Sequence, residues 1–272
     1  MDDVSRDRLE LIRSLNAMDD QFFRKLAEDA EVCEEILQTV LEDEDLRVEE
    51  SVVQGSLNNL MARSVIVDAL CRMGDGTRCC VEVQRADDAD HLRRVRYIRS
   101  SAEVAFADKG SSYAELPRVV VVFLSSFDPI GAGFTTYHVD KVVRETGQRL
   151  DDGTLDVYVN SAVDDGSKAA RLMAYMEDSN GADPEFPKLS GRVSYFKETK
   201  EGESSMSDLV EQYAQEVAAK AAEKAEKAGA LQMLLGNIRN LMDKGGIALD
   251  TAMDLLNVPE SMAADVRLAL GA

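Results

Sequence analysis

The residues best placed for chemistry are two acids, Asp68 and Glu82, on either side of a glycine-containing turn. Residues 64–73 and 77–84 alternate between apolar and polar types around Gly74-Asp75-Gly76, which predicts a β-hairpin. If Asp75 lies at the centre of the turn, Asp68 faces Glu82 on the neighbouring strand. Directly opposed like charges lie about 5 Å apart and repel each other. A divalent cation between them would remove that repulsion.

One face of this hairpin is polar, because side chains alternate along a strand and Gln84 shares the face of Glu82. Hard cations such as Mg²⁺, or Mn²⁺ as a substitute, bind carboxylates and backbone carbonyls. Asp68, Glu82 and the Val83 carbonyl would then hold one metal, whose water attacks a phosphodiester. On spacing alone, a solvated hairpin face without a function explains the acids equally well. The opposite face forms a core stripe of Val65, Val67, Val81 and Val83.

Four short motifs carry a family resemblance. They are Arg63-Ser-Val-Ile-Val-Asp68, the Gly-Asp-Gly turn, Val-Glu82-Val-Gln84-Arg85 and Arg94-Val-Arg96-Tyr97. Together they resemble the Rpn-type recombination-promoting nuclease and transposase family, a branch of the PD-(D/E)XK nuclease superfamily. The superfamily pattern is an Asp on one strand and Glu-x-Lys on the next. An N-terminal segment, Met18-Asp-Asp20-Gln-Phe-Phe23-Arg24-Lys25, also resembles a family signature, with Arg24 in place of lysine.

The resemblance implies both a fold and an activity. The fold would be α/β, a restriction-endonuclease-like PD-(D/E)XK core with a mixed sheet flanked by helices. The activity would be that of a Mg²⁺-dependent endodeoxyribonuclease, a hydrolase of the kind used in DNA recombination by mobile elements. Asp68 and Glu82 would be its metal ligands and catalytic residues. Asp20 would either add a third carboxylate or cap the first helix.

Gln84 stands where the superfamily usually has the catalytic lysine. A neutral amide can hold a water molecule by hydrogen bonds, but it cannot supply positive charge or act as a base at neutral pH. A second hypothesis follows from this substitution. The chain would be a catalytically weak or inactive nuclease-fold protein that binds nucleic acid or another protein.

The charge distribution bears on DNA as a partner. The chain has 31 basic and 51 acidic residues, a formal net charge of −20, which excludes a protein that coats nucleic acid by bulk attraction. Residues 63–100 nevertheless hold 8 basic and 6 acidic side chains. Arg85, Arg94 and Arg96 in this stretch are candidate DNA-phosphate contacts. A solvated helix face is the alternative, with arginines paired to Asp87, Asp88 and Asp90.

Apolar spacing predicts the elements that position these residues. Helices are expected within 18–41 and over 90–106, and a strand buried on both faces over 118–127. Further strands are expected within 135–144 and 155–160, followed by a helix at 167–176. Residues 42–50 read as an acidic connector. The predicted order of helices and strands is mixed α/β.

The composition changes near residue 202, which predicts two parts. Residues 1–202 would form the nuclease-like domain and 203–272 an all-helical extension. Residues 207–228, rich in Ala, Glu and Lys, predict a long helix with favourable i,i+4 pairs, followed by two or three short amphipathic helices. These C-terminal helices would mediate self-association into a homo-oligomer.

Two further expectations concern location and the cysteines. No apolar run approaches the roughly 20 residues of a membrane helix, and the N-terminus has no basic, apolar leader. These features favour a cytoplasmic protein without a membrane partner. The cysteines lack the C-x-x-C spacing of a zinc site and are expected to be buried free thiols: Cys33, Cys71, Cys79 and Cys80.

Overall fold

The chain folds into two compact units, Met1–Val210 and Glu211–Ala272. A computed structural model describes residues 10–57, 64–87, 90–108, 110, 112–206, 229, 231–243, 245–259 and 266–270. The expected domain boundary, after residue 202, lies a few residues before this division. The long helix expected at 207–228 lies outside the described residues.

The first unit is built on a mixed sheet of six strands in the order β1-β2-β3-β4-β8-β5. Strands β1, β2 and β3 form an antiparallel meander, β4 and β8 run parallel to β3, and β5 pairs antiparallel with β8 at the edge. Strands β6 and β7 form a separate two-stranded ribbon. The strands are β1 Val48–Leu57, β2 Val65–Met73, β3 Arg78–Gln84, β4 Val119–Ser125, β5 Thr136–Val139, β6 Lys141–Val142, β7 Arg149–Leu150 and β8 Thr154–Asn160.

Helices flank this sheet, so the expected α/β class with a mixed sheet is confirmed. Residues 10–14 are helical, two further helices precede β1, and the helix His91–Phe106 joins β3 to β4. In the described part of the first unit the named helices are α1 Asp20–Ala27, α2 Ala30–Val40, α3 His91–Phe106, α4 Lys168–Asp178, α5 Pro187–Glu198 and α6 Lys200–Ser205.

The hairpin expected from the sequence is present, but it opens at Asp68. The predicted register holds from Arg72–Arg78 to Ala69–Val81, where the pairing of β2 with β3 ends. Asp68 and Glu82 are therefore not a ladder pair, so the direct pairing predicted from the sequence is wrong. The Asp68 carboxylate instead accepts the N–H of Val83. The Val83 N–H thus bonds a side chain of β2 and not a backbone carbonyl, and the pairing of β2 with β3 stops at this point.

Helix α3 is held over the sheet by its apolar stripe. Val95, Ile98 and Ala102 are fully buried against Val121 and Phe123 of β4. A connection between two parallel strands has to cross a face of the sheet, and α3 makes that crossing. All seven residues of β4 are buried, as expected for a strand covered on both faces. This packing fixes where the arginines of α3 lie relative to β3.

The sequence predicted neither β1 nor α5, and it also missed the short elements β7 and α6. Strand β1 begins inside the stretch interpreted as an acidic connector, because Glu49 and Glu50 lie on an edge strand where they reach solvent and pair with Arg72. Helix α5, which begins at Pro187, was not among the elements expected from the sequence. Proline is well suited to the first turn of a helix, where its missing N–H costs nothing.

The second unit is helical in its described residues. Residues 231–243 are helical, α7 spans Leu249–Leu255, and residues 266–270 are helical. Their apolar side chains share a small core around Ile238, Ala252 and Val266. Short helices thus occur where the sequence predicted them in the described residues after 230, and self-association stays a prediction.

The cysteine and membrane expectations can be checked directly. All four cysteines are free and buried, as predicted. Burial raises the pKa of the Cys80 thiol to about 12, so this thiol stays protonated at neutral pH. Within the described part of the chain, no helix has the length and apolar character needed to cross a membrane.

The N-cap of α4 gives a test of the fold. The Ser167 hydroxyl accepts the N–H of Ala170 at 3.1 Å. Ser167→Ala leaves that N–H without its partner, and we expect the free energy of unfolding to fall by about 1 kcal/mol in chemical denaturation. Ser100→Ala, in the middle of α3, is the matched control and should change stability little. Equal effects of the two substitutions would contradict the assigned cap.

Candidate functional site

Glu82 lies near the end of β3 and is almost completely buried, with 1% of its surface exposed. Its Oε2 accepts a hydrogen bond from Arg94 Nη2 at 2.5 Å. Its Oε1 is buried and has no hydrogen-bond partner among the described residues. Burial and the negative charge of Asp68 raise the pKa of Glu82 to about 7. Arg94 and the backbone N–H of Asp68 act in the opposite direction and lower this pKa. The site therefore contains a carboxylate oxygen that the protein alone leaves unsatisfied.

Asp68 is also buried, with 5% of its surface exposed, and it accepts hydrogen bonds from a residue of α1. Arg24 donates to Asp68 Oδ1 from both Nε, at 2.9 Å, and Nη2, at 2.8 Å. Asp68 Oδ2 accepts the N–H of Val83 at 3.0 Å. The alternative of a solvated hairpin face is wrong, because neither acid faces bulk water. The Val83 carbonyl stays a predicted ligand.

Gln84 is joined to Glu82 through a shared arginine. Arg94 Nη1 donates to Gln84 Oε1 at 2.9 Å, while Nη2 of the same guanidinium bonds Glu82. Gln84 Nε2 donates to the Ala86 carbonyl, which fixes the orientation of the amide. Arg94 therefore belongs to the carboxylate cluster, and it pairs with neither of the described acids that precede α3, Asp87 and Asp90. Arg93 makes such a pair, with Asp90.

The start of α1 contributes an acid that the sequence analysis did not select. Asp19, the N-cap residue of α1, is buried and accepts a 2.6 Å hydrogen bond from Arg85 Nη1. Asp20 follows as the first helical residue and is exposed. The expectation that Asp20 caps the helix is wrong, since Asp19 holds that position. Asp20 as a metal ligand stays a prediction.

The structure thus brings together most of the predicted residues. Asp68, Glu82, Gln84 and Arg94 share contacts or charge interactions, and Arg85 lies next to them along the chain. Arg96 is exposed on α3, two residues past Arg94. Residues two apart on a helix point in different directions, so Arg96 is not part of the cluster.

Sequence reasoning missed Arg24 and Asp19 as site residues. Arg24 was noted only as a departure from a family signature, and Asp19 was passed over for its neighbour Asp20. No periodic signal links the two, because Asp19 and Arg24 are five residues apart and only residues three or four apart share a side of a helix. What the sequence lacked was the position of α1 beside the open end of the hairpin.

The cluster is electrically balanced before any cation binds. Its three acids, Asp19, Asp68 and Glu82, are each paired with an arginine: Arg85, Arg24 and Arg94 respectively. These six side chains therefore contribute no net formal charge when all of them are ionised. A phosphate group approaching this cluster meets no net repulsion from it, and a divalent cation would make it attractive.

The donor set fits a hard divalent cation. Two carboxylates supply oxygen ligands of the kind that Mg²⁺ and Mn²⁺ prefer, and the unsatisfied Oε1 of Glu82 is the natural first contact. No group of three or more His, Cys, Asp or Glu side chains is arranged for a metal in the described parts of the chain. A cation here would rest on two carboxylates, the backbone and water, as Mg²⁺ commonly does.

Comparisons with models of protein families, with curated proteins and with solved structures found no match to this chain.

Proposed function

We propose that this chain is a metal-dependent DNA endonuclease of the PD-(D/E)XK type, related to recombination-promoting nucleases. The observation that carries the proposal is the buried pair Asp68 and Glu82, with one oxygen of Glu82 lacking a partner. A buried, unsatisfied carboxylate oxygen costs free energy. A cation bound at that oxygen would offset this free-energy cost.

The order of the strands supports the proposed fold. Asp68 lies on β2, and Glu82 and Gln84 lie on β3, in agreement with an Asp on one strand and Glu-x-Lys on the next. A helix then crosses to β4, which is parallel to β3. The two acids are close because the hairpin joins their strands, while α1 and α3 add arginines from outside the hairpin.

In this mechanism Asp68 and Glu82 hold the cation, and Gln84 orients the attacking water by hydrogen bonding. A divalent cation supplies Lewis acidity, making water more acidic and drawing charge from the phosphoryl oxygens. Arg85, at the end of β3, is half-exposed and can reach a phosphate of the DNA backbone. Arg96 is exposed on α3 for a second such contact.

A DNA-cleavage assay tests this proposal. Purified protein, incubated with supercoiled plasmid and Mg²⁺ or Mn²⁺, should produce nicked and linear DNA, and EDTA should prevent it. Titration of Mn²⁺ into the DNA-free protein should show binding by calorimetry. A folded protein that neither cleaves DNA nor binds Mn²⁺ would contradict the proposal.

The ion pairs favour a second candidate function. Arg24 and Arg94 already pair with Asp68 and Glu82, and Gln84 brings no charge, so the charges of the two acids are compensated without a metal. In this reading the chain is an inactive nuclease-fold module that binds nucleic acid or protein. A gel-shift assay in which the protein binds DNA without a metal, together with no Mn²⁺ binding and no cleavage, would favour this second function.

A further inference from the structure

We propose that Arg94 supplies the positive charge that Gln84 cannot, and acts as a catalytic residue on the phosphoryl oxygens of the scissile phosphodiester. This inference rests on the proposed nuclease function and deepens it. With glutamine in place of lysine, the Glu-x-Gln motif itself brings no positive charge to the attacked phosphate. Arg94 comes from α3, outside the hairpin that carries Asp68, Glu82 and Gln84.

The geometry around Arg94 points to this role. One guanidinium bonds both Gln84 Oε1, at 2.9 Å, and Glu82 Oε2, at 2.5 Å. Its charge is therefore fixed next to the side chain that replaces lysine. These contacts use two of the five N–H donors of a guanidinium. Nearly half of the Arg94 side chain, 45%, is exposed, so the group also faces the side from which a substrate would arrive.

The other arginines of the cluster are less suited to this task. Arg24 uses its Nε and Nη2 on a single oxygen of Asp68 and contacts neither Glu82 nor Gln84 in the described structure. Arg85 is held by Asp19. Arg96 projects from another side of α3. Arg94 is the member that touches both residues of the Glu-x-Gln motif.

The chemical step leaves Arg94 unchanged. The oxygen of a water molecule forms a bond to phosphorus as the bond from phosphorus to the leaving sugar oxygen breaks. The water loses one proton to solvent, and the leaving oxygen takes one proton from solvent. Arg94 neither gains nor loses a proton in this step, because a guanidinium group is not deprotonated in proteins. Its N–H groups stabilise the negative charge that builds on the phosphoryl oxygens.

Four variants test this role, with cleavage and Mn²⁺ binding as separate measurements. Arg94→Met should lower Mn²⁺-dependent cleavage by on the order of 100-fold. It should also raise the affinity of the DNA-free protein for Mn²⁺, since Glu82 loses its competing cation. Gln84→Lys combined with Arg94→Met should recover most of the cleavage and reverse the gain in affinity. Arg93→Met, on the neighbouring exposed arginine, is the matched control and should change neither measurement.

Arg94→Lys separates charge from shape, and should cleave better than Arg94→Met because it keeps the cation. If the wild-type protein cleaves DNA and a folded Arg94→Met variant cleaves it equally fast, the role of Arg94 is overturned. The proposed nuclease function would remain. Failure of the Gln84→Lys/Arg94→Met variant to exceed Arg94→Met, with both folded by circular dichroism, would overturn the role of Arg94 as well. A wild-type protein that does not cleave would overturn the nuclease function and this role together.

Discussion

Asp68→Asn is expected to lower metal-dependent DNA cleavage by about 1000-fold, close to complete loss in a plasmid assay. Asparagine keeps the size of the side chain and an acceptor for the Val83 N–H, but it removes the negative charge that would hold the cation. Loss of a charged metal ligand costs several kcal/mol of transition-state stabilisation, and about 4 kcal/mol corresponds to this factor. Initial rates of plasmid nicking with Mn²⁺ measure the effect.

The matched control for this substitution is Asp156→Asn. Asp156 is another buried acid of the same sheet, on β8, and it is also paired with an arginine, Arg99. Its loss should reduce stability without a comparable loss of cleavage. If Asp68→Asn cleaves DNA as fast as wild type, or if both variants lose cleavage equally, Asp68 is not the metal ligand proposed here.

Glu82 is expected to make the stability of the metal-free protein depend on pH. Burial and the charge of Asp68 raise its pKa from an ordinary value of 4.5 to about 7. The folded protein thus binds this proton more tightly than the unfolded chain does. The contribution of Glu82 to stability is complete below about pH 4.5 and is lost as the pH rises through 7. This difference in pKa between the folded and unfolded states corresponds to roughly 3 kcal/mol in the free energy of unfolding.

Urea denaturation of wild type and Glu82→Gln at several pH values isolates this contribution. Glutamine does not ionise, so the stability of wild type relative to Glu82→Gln should fall between pH 4.5 and 7.5. Subtracting one protein from the other removes the effects of the many other carboxylates. A difference that is constant over this range, in the presence of EDTA, would show that Glu82 ionises in the fold as it does in water.

Local patterns in the sequence were sufficient for the hairpin and for α3. Alternating valines and the Gly-Asp-Gly turn set the strands and their register, and the three- and four-residue spacing of Val95, Ile98 and Ala102 set the helix. These features depend on neighbours in the chain, and the structure confirms them from Ala69–Val81 outwards to the turn. The identity of the acids was therefore accessible, but their surroundings were not.

The contacts between distant segments could not be inferred. Arg24 is 44 residues from Asp68, and no local pattern says that α1 lies beside the open end of the hairpin. For the same reason the sequence wrongly predicted a regular Asp68–Glu82 pair. In the structure the Asp68 carboxylate bonds Arg24 and the backbone N–H of Val83. Burial of both acids, and the arginine attached to each, became apparent only from the packing of α1 and α3.

The most direct test of the site is a crystal structure of the protein soaked in Mn²⁺, with anomalous diffraction data. The proposed function predicts an anomalous peak bonded to oxygens of both Asp68 and Glu82, including Glu82 Oε1. Asp68→Asn crystals treated in the same way should lack that peak. A wild-type structure without the peak, in which Arg24 and Arg94 still hold the two carboxylates, would contradict a metal-dependent nuclease site.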